Sequence, residues 1–382
     1  MIYKFRNTGN VLPSIIMFFG LISTIGNGEE SLFRMTVTDP KMEHLQWIAD
    51  QFEVVDRREA TFDVLVPKNR WDEVRQKVPG AQINGMEREG IPYGYGYNNL
   101  SSVRKKMRDM AQLYPNFTKL EVYGQSSNHA LEALVVTPQR SDQIERKRVM
   151  ITAATHGDEL ITVEILLSFM ERFLQSLDQG VASSSVEIIF VPVVSPESYE
   201  VGQRYVRGID PNRSFPLPMQ RYRQHTDGLA LDDLLPQRFI ETWKGYQHSR
   251  GPSGHGRRLQ CVDNLIALAG KYKISGSLDL HAAGRFVMHP WGYTTHPIQD
   301  PDKRAKFESL TRSMASPSGY RYGQISRVIY VAKGSSADYF FDFLGAKAVA
   351  IEIGTEKAPS PREFPPIEKD IHPMIVRFLQ SF

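Results

Sequence analysis

The spacing of hydrophobic residues changes along this chain and separates a short N-terminal region from a long C-terminal one. Between residues 31 and 86, runs with strand-like alternation are separated by two amphipathic segments, 40–52 and 69–78, whose apolar residues recur at helical spacing. The resulting order is β-α-β-β-α-β, with Pro40 in the first turn of the first helix. We therefore predict a small α+β domain in this region.

From Leu100 to the C-terminus, long apolar runs alternate with amphipathic helices. The predicted strands are 119–123, 131–137, 149–154, 186–194, 274–281 and 348–354, and the predicted helices are 101–114, 159–178, 262–273, 302–315, 336–344 and 369–381. Runs that are apolar on both faces are typical of a sheet covered by helices on both sides. We therefore predict an α/β fold for this region.

The first 28 residues differ from the rest of the chain. Lys4 and Arg6 precede an apolar run at 11–22, and small residues follow at Gly26 and Gly28. This order is typical of a secretory signal peptide, and the run is short for a membrane span. We predict export with removal of this segment; an uncleaved anchor and a disordered tail are the alternatives.

Composition and charge narrow the class of protein without deciding its function. Of 382 residues, 41% are hydrophobic and 23% are charged, as in ordinary globular proteins. The formal net charge of +3 would fall to about +1 without Lys4 and Arg6, which argues against nucleic acid as a partner. Cys261 is the only cysteine, so no disulfide can form within the chain and the core must hold the fold.

The most informative local feature is His156-Gly-Asp-Glu159, which follows directly after a predicted strand. An imidazole and a carboxylate at this spacing, together with a distant histidine, can hold a catalytic zinc ion with an open fourth position. A strand-end histidine with a helix-capping carboxylate is the alternative. Because about one such pair is expected by chance at average residue usage, the metal hypothesis needs a third ligand.

Further polar residues stand at the ends of other predicted strands. Asp279 and His281 close one strand, and Glu352 lies near the end of the last one among apolar neighbours. Since ligands bind beyond the carboxyl ends of strands in such sheets, we predict that His281 is the third metal ligand. Burial should raise the pKa of Glu352 and suit it to accept and return a proton near neutral pH. A salt-bridged strand glutamate is the alternative.

Groups that bind carboxylates are concentrated in one short segment. Asn212 and Arg213 follow Asp210 and offer an amide and a guanidinium fork, which together can hold a carboxylate. Arg204 and Arg207 lie just upstream, and either could polarise a carbonyl oxygen or simply be solvated.

Together these motifs resemble those of the zinc carboxypeptidases of the carboxypeptidase A type. The matching segments are 156–159, 204–213, 279–293 and 330–339, followed by Glu352, and the order and spacing are similar over about 290 residues. The resemblance implies a mixed eight-stranded sheet sandwiched between helices and one Zn²⁺ per chain. It also implies removal of a single residue from the free C-terminus of a peptide.

The resemblance implies roles for individual residues. His156, Glu159 and His281 would hold the zinc ion. Glu352 would take a proton from water and later deliver it to the leaving amine, and Arg204 would stabilise the developing oxyanion.

On the substrate side, the resemblance implies that Asn212 and Arg213 bind the terminal carboxylate and that Tyr330 closes over it and donates a hydrogen bond. Asp210 is similar to the carboxylate that orients a zinc-binding histidine. The side-chain pocket would be formed by six uncharged residues: Met288, Gly292, Ile325, Ala332, Ala337 and Ala350. Because an unpaired charge is costly to bury, we expect an apolar or aromatic C-terminal residue in the substrate.

Pattern and resemblance together give the domain boundaries. We predict a signal peptide at 1–28, a ferredoxin-like domain at 29–86, a linker at 87–98 and a catalytic domain at 99–382. The small domain resembles the inhibitory prodomain of such enzymes in position and element order, which would make the chain a zymogen; a permanent accessory domain is the alternative. The segment 216–260 is longer than the resemblance implies and could line or cover the cleft.

Two other functions are compatible with this architecture. One is a zinc amidohydrolase that acts on N-acyl amino acids or cell-wall peptides. The other is a non-catalytic peptide-binding homologue, which would be expected to lack Glu352 or a zinc ligand, and neither loss has occurred. We expect a secreted or periplasmic monomer that acts on peptide or protein C-termini, with no nucleic-acid partner and no membrane partner in its mature form.

Overall fold

Two sheets, one of four strands and one of eight, form the framework of the described part of the chain. The computed structural model describes residues 32–38, 42–57, 61–78, 81–86, 96–138, 146–181, 185–218 and 258–382. The predicted signal peptide, most of the predicted linker and most of the segment 216–260 lie outside these residues.

The N-terminal sheet belongs to the small domain. Its elements are β1 (Leu32–Thr38), α1 (Met42–Gln51), β2 (Glu53–Arg57), β3 (Thr61–Pro67), α2 (Trp71–Lys77) and β4 (Gln82–Met86). The strand order is β2-β3-β1-β4, and each neighbouring pair is antiparallel. Alternate residues of β1, Met35 and Val37, are buried with Ile48 of α1. This is the predicted ferredoxin-like topology.

The large domain contains the eight-stranded sheet and the remaining helices of the described residues. Its strands are β5 (Thr118–Ser126), β6 (His129–Val136), β7 (Lys147–Thr152), β8 (Val186–Val191), β9 (Gly276–His281), β10 (Phe286–His289), β11 (Arg321–Gln324) and β12 (Lys347–Glu352). Its α-helices are α3 (Leu100–Leu113), α4 (Leu160–Asp178), α5 (Pro196–Val201), α6 (Gln260–Tyr272), α7 (Pro301–Ala315), α8 (Ile325–Val328), α9 (Ser336–Leu344) and α10 (Phe364–Gln380).

The large sheet is mixed, with the order β11-β10-β12-β9-β7-β8-β6-β5. Its four central strands, β12, β9, β7 and β8, are parallel, and antiparallel pairs flank them on both sides. Val149 and Ile151 of β7 belong to one hydrophobic core, whereas Met150 between them belongs to another. Side chains therefore alternate between two helix-covered faces. The prediction of a mixed eight-stranded sheet between helices is confirmed.

The hydrophobic pattern does not predict two strands at one edge of the large sheet. All four residues of β10 are buried, but the run is very short and ends directly before Pro290. β11 has the sequence Arg-Tyr-Gly-Gln, and its first two residues are exposed. Such strands form because a neighbouring strand offers unpaired backbone groups, which leaves little trace in the local sequence.

The central parallel strands bring their carboxyl ends to one edge of the sheet. These ends are Thr152, Val191, His281 and Glu352. Crossover helices force the chain to leave each strand at this edge, so the connecting loops collect there. Among the described residues, no helix has both the length and the apolar character needed to cross a membrane.

Candidate active site

The loop between β7 and α4 carries the first two predicted ligands. His156 and Glu159 are 3% and 1% exposed. A Cβ atom at Gly157 would lie only 2.1 Å from the carbonyl carbon of Ser198, so the loop approaches α5 in a way that only glycine permits. The Thr162 hydroxyl donates to the carbonyl of Glu159 at 2.7 Å and accepts from the amide of Ala154 at 3.1 Å. These contacts fix the loop.

The three predicted ligands converge. Nδ1 of His156 lies 2.7 Å from Oε1 of Glu159, and Nδ1 of His281 lies 3.1 Å from Oε2 of the same carboxylate. Ligand atoms of the three residues all lie within 4.8 Å of one another. Zinc binds nitrogen and oxygen ligands at about 2.0–2.2 Å, so one ion among them would require only small adjustments.

The opposite nitrogen of each imidazole ring faces a buried carboxylate. Nε2 of His156 lies 3.1 Å from Oδ1 of Asp210, and Nε2 of His281 lies 3.0 Å from Oδ2 of Asp279. A carboxylate oxygen accepts a hydrogen bond from an N–H group, which places the hydrogen of each ring on Nε2. The lone pair of Nδ1 is then available to a metal ion. The donor set therefore fits Zn²⁺ held by His156, Glu159 and His281.

Burial and charge act in opposite directions on the ligands. Burial alone would lower the pKa of His281, but the carboxylates of Asp279 and Glu159 raise it well above its usual value. Burial would likewise raise the pKa of Glu159, whereas His156 and His281 hold it well below its usual range. The site thus keeps Glu159 ionised, as a metal ligand must be.

Arg204 reaches the same group of ligands. Its Nη2 donates to Oδ2 of Asp210 at 2.9 Å, and its Nη1 lies 3.6 Å from Oε1 of Glu159. Although burial would raise the pKa of Asp210, Arg204 and His156 hold it well below its usual range. Asp210 therefore contacts a metal ligand and Arg204 at once, and the guanidinium lies beside the ligands as predicted.

A second polar group lies next to the ligands. Nη2 of Arg213 donates to the hydroxyl of Tyr330 at 2.9 Å, and the amide of Ser336 donates to Oδ1 of Asn212 at 2.9 Å. Nδ2 of Asn212 lies 3.2 Å from Nε2 of His281. The residues predicted to bind a carboxylate are thus brought together beside the predicted metal ligands.

Glu352 is positioned by the register of the sheet. It ends β12 directly opposite His281 on β9 and lines the same cavity as the three ligands. Burial raises the pKa of Glu352 to about 7; the charge of Glu159 contributes in the same direction, and His281 opposes it. The structure therefore places a carboxyl group that can exchange a proton near neutral pH beside the ligands.

An apolar pocket opens from these polar groups, in a cavity of about 760 Å³ that includes its open mouth. Its apolar lining consists of Ala282, Ala283, Phe286, Met288, Ile325, Ile329, Ala332, Ala337 and Ala350. Gly292, which the resemblance includes in the pocket, is not among the residues that line this cavity, and a Cβ atom there would lie 2.9 Å from the carbonyl oxygen of Ala332. The hydrophobic pattern of the sequence does not identify Phe286 as a pocket residue, because Phe286 belongs to the short strand β10, which the pattern does not predict.

Asp338, which follows the pocket residue Ala337, has a structural role that the sequence does not predict. Its two carboxylate oxygens accept hydrogen bonds from the amides of Gly292 and Tyr293, both at 2.8 Å. Burial raises the pKa of Asp338 to about 7. In the sequence, only its position next to Ala337 could have pointed to this role. Its hydrogen bonds connect α9 with the segment that contains Gly292 and Tyr293.

A family model described as zinc carboxypeptidase matches residues 103–378. The chain belongs to the zinc carboxypeptidase family. Zinc as the cofactor is therefore confirmed, with His156, Glu159 and His281 as the group that can bind it. At the level of the family, the prediction of a zinc metallocarboxypeptidase is confirmed as well.

The curated relatives of this member of the family are distant. Mouse carboxypeptidase A4 is 23% identical over 281 residues, which are 68% of this chain and 62% of the mouse protein. Metallocarboxypeptidase A of Trichophyton rubrum is 25% identical over 329 residues, 75% of this chain and 74% of the relative. The inactive metallocarboxypeptidase ECM14 of Saccharomyces cerevisiae is 19% identical over 321 residues, 73% and 71% of the two chains. Family membership alone therefore does not establish activity.

A solved structure confirms the fold. Carboxypeptidase A from Helicoverpa armigera superposes with a TM-score of 0.70, covering 92% of this chain and 97% of the insect chain at 15% identity. At this identity the likeness concerns the fold alone.

Removal of zinc should destabilise the protein. At free zinc 100 times the dissociation constant, binding to the folded state alone adds about 2.7 kcal/mol to the free energy of unfolding. Denaturant unfolding with zinc and with a chelator measures this difference. His281→Ala should abolish it, whereas His296→Ala, at an exposed position, should preserve it. Equal zinc-dependent stabilisation in both variants would contradict the ligand assignment.

Proposed function

We propose that this protein is a zinc-dependent carboxypeptidase that hydrolyses the last peptide bond of peptides or proteins ending in an apolar or aromatic residue. The proposal rests on one observation: the metal ligands, Glu352 and the Asn212, Arg213 and Tyr330 group all line one cavity that continues into an apolar pocket. Family membership supports the class of reaction.

Substrate binding begins with the terminal carboxylate. Arg213 presents a planar fork that suits a carboxylate, and its contact with Tyr330 places a hydroxyl donor at the same point. Nδ2 of Asn212 supplies a further donor, because its Oδ1 is already occupied by the amide of Ser336. The C-terminal side chain then enters the apolar pocket, where burial of an aromatic ring is favourable and burial of an unpaired charge is costly.

The chemical step uses Glu352 and Arg204. When bound, zinc supplies Lewis acidity that polarises the scissile carbonyl and lowers the pKa of water. The carboxylate of Glu352 accepts a proton from the water that attacks the carbonyl carbon and returns it to the departing amine nitrogen as the carbon–nitrogen bond breaks. The guanidinium of Arg204, held by Asp210, stabilises the negative charge that develops on the carbonyl oxygen.

Replacement of Glu352 by glutamine should separate catalysis from binding. The amide cannot accept the proton from water, so we expect kcat to fall by about 10²–10⁴-fold while zinc content stays at the wild-type level. Hydrolysis of blocked dipeptides ending in Phe, with metal analysis of the same sample, measures both. Glu356→Gln, at an exposed position after the same strand, is the control. If zinc-loaded wild-type protein binds these peptides without cleaving them, the protein is a non-catalytic homologue.

The pocket assignment predicts a change in specificity. Ala337 lines the pocket, so Ala337→Asp would place a carboxylate where the substrate side chain binds. We expect wild-type protein to prefer Phe or Leu over Lys and Glu, and the variant to shift toward Lys. The measurement is kcat/KM for four blocked dipeptides that differ only in the last residue. An unchanged ratio of Phe to Lys in a folded, zinc-loaded variant would contradict the assignment.

We also propose that the small domain, 29–86, inhibits the enzyme until the linker is cut. Oε1 of Gln46 on α1 accepts from the amide of Val331 at 3.3 Å. Tyr330, the adjacent residue, is half-buried and packs against the apolar core of the small domain. These contacts support a position of this domain beside the entrance to the pocket.

Separation of the domains should increase activity. We expect a chain beginning at Gly90 to hydrolyse peptides several-fold faster than the intact chain, because the entrance beside Tyr330 is then open. Both proteins are assayed at equal zinc content. Gln46→Ala in the intact chain removes one contact and should give a smaller increase. Equal activity of the intact and shortened chains would identify 29–86 as a permanent accessory domain.

Export and oligomeric state remain predictions. We propose that the segment 1–28 directs the protein to a secreted or periplasmic location and is removed there. We further propose that the mature protein acts as a monomer on the C-termini of peptides or proteins.

A further inference from the structure

Asp279 is a buried carboxylate that, among the described residues, contacts one imidazole and three hydroxyl groups. It is 2% exposed. Its Oδ1 accepts from the hydroxyls of Thr152 at 2.8 Å and Thr155 at 3.1 Å. Its Oδ2 accepts from the hydroxyl of Ser336 at 2.6 Å and faces Nε2 of His281 at 3.0 Å.

Burial of an ionised carboxylate at this position costs free energy unless a positive charge compensates its negative charge. Hydroxyl donors are neutral, so they solvate the anion without balancing its charge. Among these four partners, only His281 can carry compensating positive charge, either as a proton or through a metal bound at its other nitrogen. The contacts of Asp279 therefore indicate a function that depends on His281 and not a contribution to packing.

We propose that Asp279 is a positioning residue for the zinc site, which fixes the ring of His281 with its hydrogen on Nε2 and increases the electron density at Nδ1. This inference rests on the metal-dependent function proposed above. With this role for Asp279, both histidine ligands are oriented in the same way by a buried carboxylate: His156 by Asp210 and His281 by Asp279.

Asp279 also connects the metal ligand with the substrate site. Ser336 donates its hydroxyl to Asp279 and its amide to Oδ1 of Asn212. The same carboxylate thus fixes Ser336, the first residue of α9, whose backbone amide in turn holds the side chain of Asn212. Loss of Asp279 should therefore affect both zinc binding and the position of Asn212.

The test compares zinc affinities of the full-length chain carrying Asp279→Asn or Asp279→Ala. Loss of a residue that orients a metal ligand typically costs 10–100-fold in metal affinity, and we expect a fall in this range, measured by competition with a chromophoric chelator. Asn can still accept one hydrogen bond from His281, so its loss should be smaller than that of Ala. A merely structural role would lower the unfolding midpoint of the zinc-free protein and leave the zinc affinity unchanged.

Two control variants separate the contacts of Asp279. Thr155→Val removes a hydroxyl donor from the same carboxylate but preserves its contact with His281, so zinc affinity should remain within about threefold of wild type. Ser336→Ala should also preserve zinc affinity but raise KM, because Asn212 is less well positioned. If either variant lost as much zinc affinity as Asp279→Ala, the special role of the His281 contact would be refuted.

A second measurement does not depend on whether the Asp279 variants fold. Nitrogen-15 NMR of the zinc-loaded wild-type chain should show His281 protonated at Nε2, with a strongly deshielded and slowly exchanging hydrogen. Protonation at Nδ1, or zinc affinities within threefold of wild type in folded Asp279 variants, would overturn the proposal. Absence of peptide hydrolysis with normal zinc affinity would instead contradict the proposed function alone.

Discussion

The site depends on one interaction, the contact of the Glu159 carboxylate with the Nδ1 atoms of His156 and His281. A carboxylate that is 1% exposed needs a compensating positive charge or strong donors, and a cation shared with the two Nδ1 atoms would supply that charge. Its second oxygen also accepts from the amide of Ala282 at 3.2 Å. Glu159 therefore joins the loop after β7 to the end of β9, and the remaining groups of the site are arranged around this junction.

Hydrogen bonding between the strands of the large sheet fixes the relative positions of the residues around Glu159. β9 lies between β7 and β12, so His281 and Glu352 end adjacent strands, and the loop that carries His156 and Glu159 follows β7 on the other side of β9. Thr152 and Asp279 face each other across the β7–β9 pair, and Glu352 and His281 do so across the β9–β12 pair. Groups on strands are held more precisely than groups on loops, and the side chains from loops are fixed by hydrogen bonds instead.

Much of this arrangement could be predicted from the sequence, because it follows from local signals. Apolar runs reveal the central strands, and polar residues at their ends identify His156, His281 and Glu352. The edge strand β11 could not be predicted, since its polar residues pair only where β10 offers a partner. For a similar reason Phe286, which lies on the short strand β10, could not be predicted as a pocket residue. The role proposed for Asp279 rests on its contacts with β7, the loop after β7 and α9, which sequence spacing does not encode.

The contact between Arg213 and Tyr330 has a consequence for the kinetics of substrate capture. Because the hydroxyl already touches the guanidinium, little rearrangement of this segment is needed when a carboxylate arrives. The arriving anion exchanges one neutral acceptor for a charged one on the same arginine, a stronger hydrogen bond at little cost in side-chain freedom. If the proposed substrate binds here, its capture would therefore not have to wait for the slow ordering of a loop.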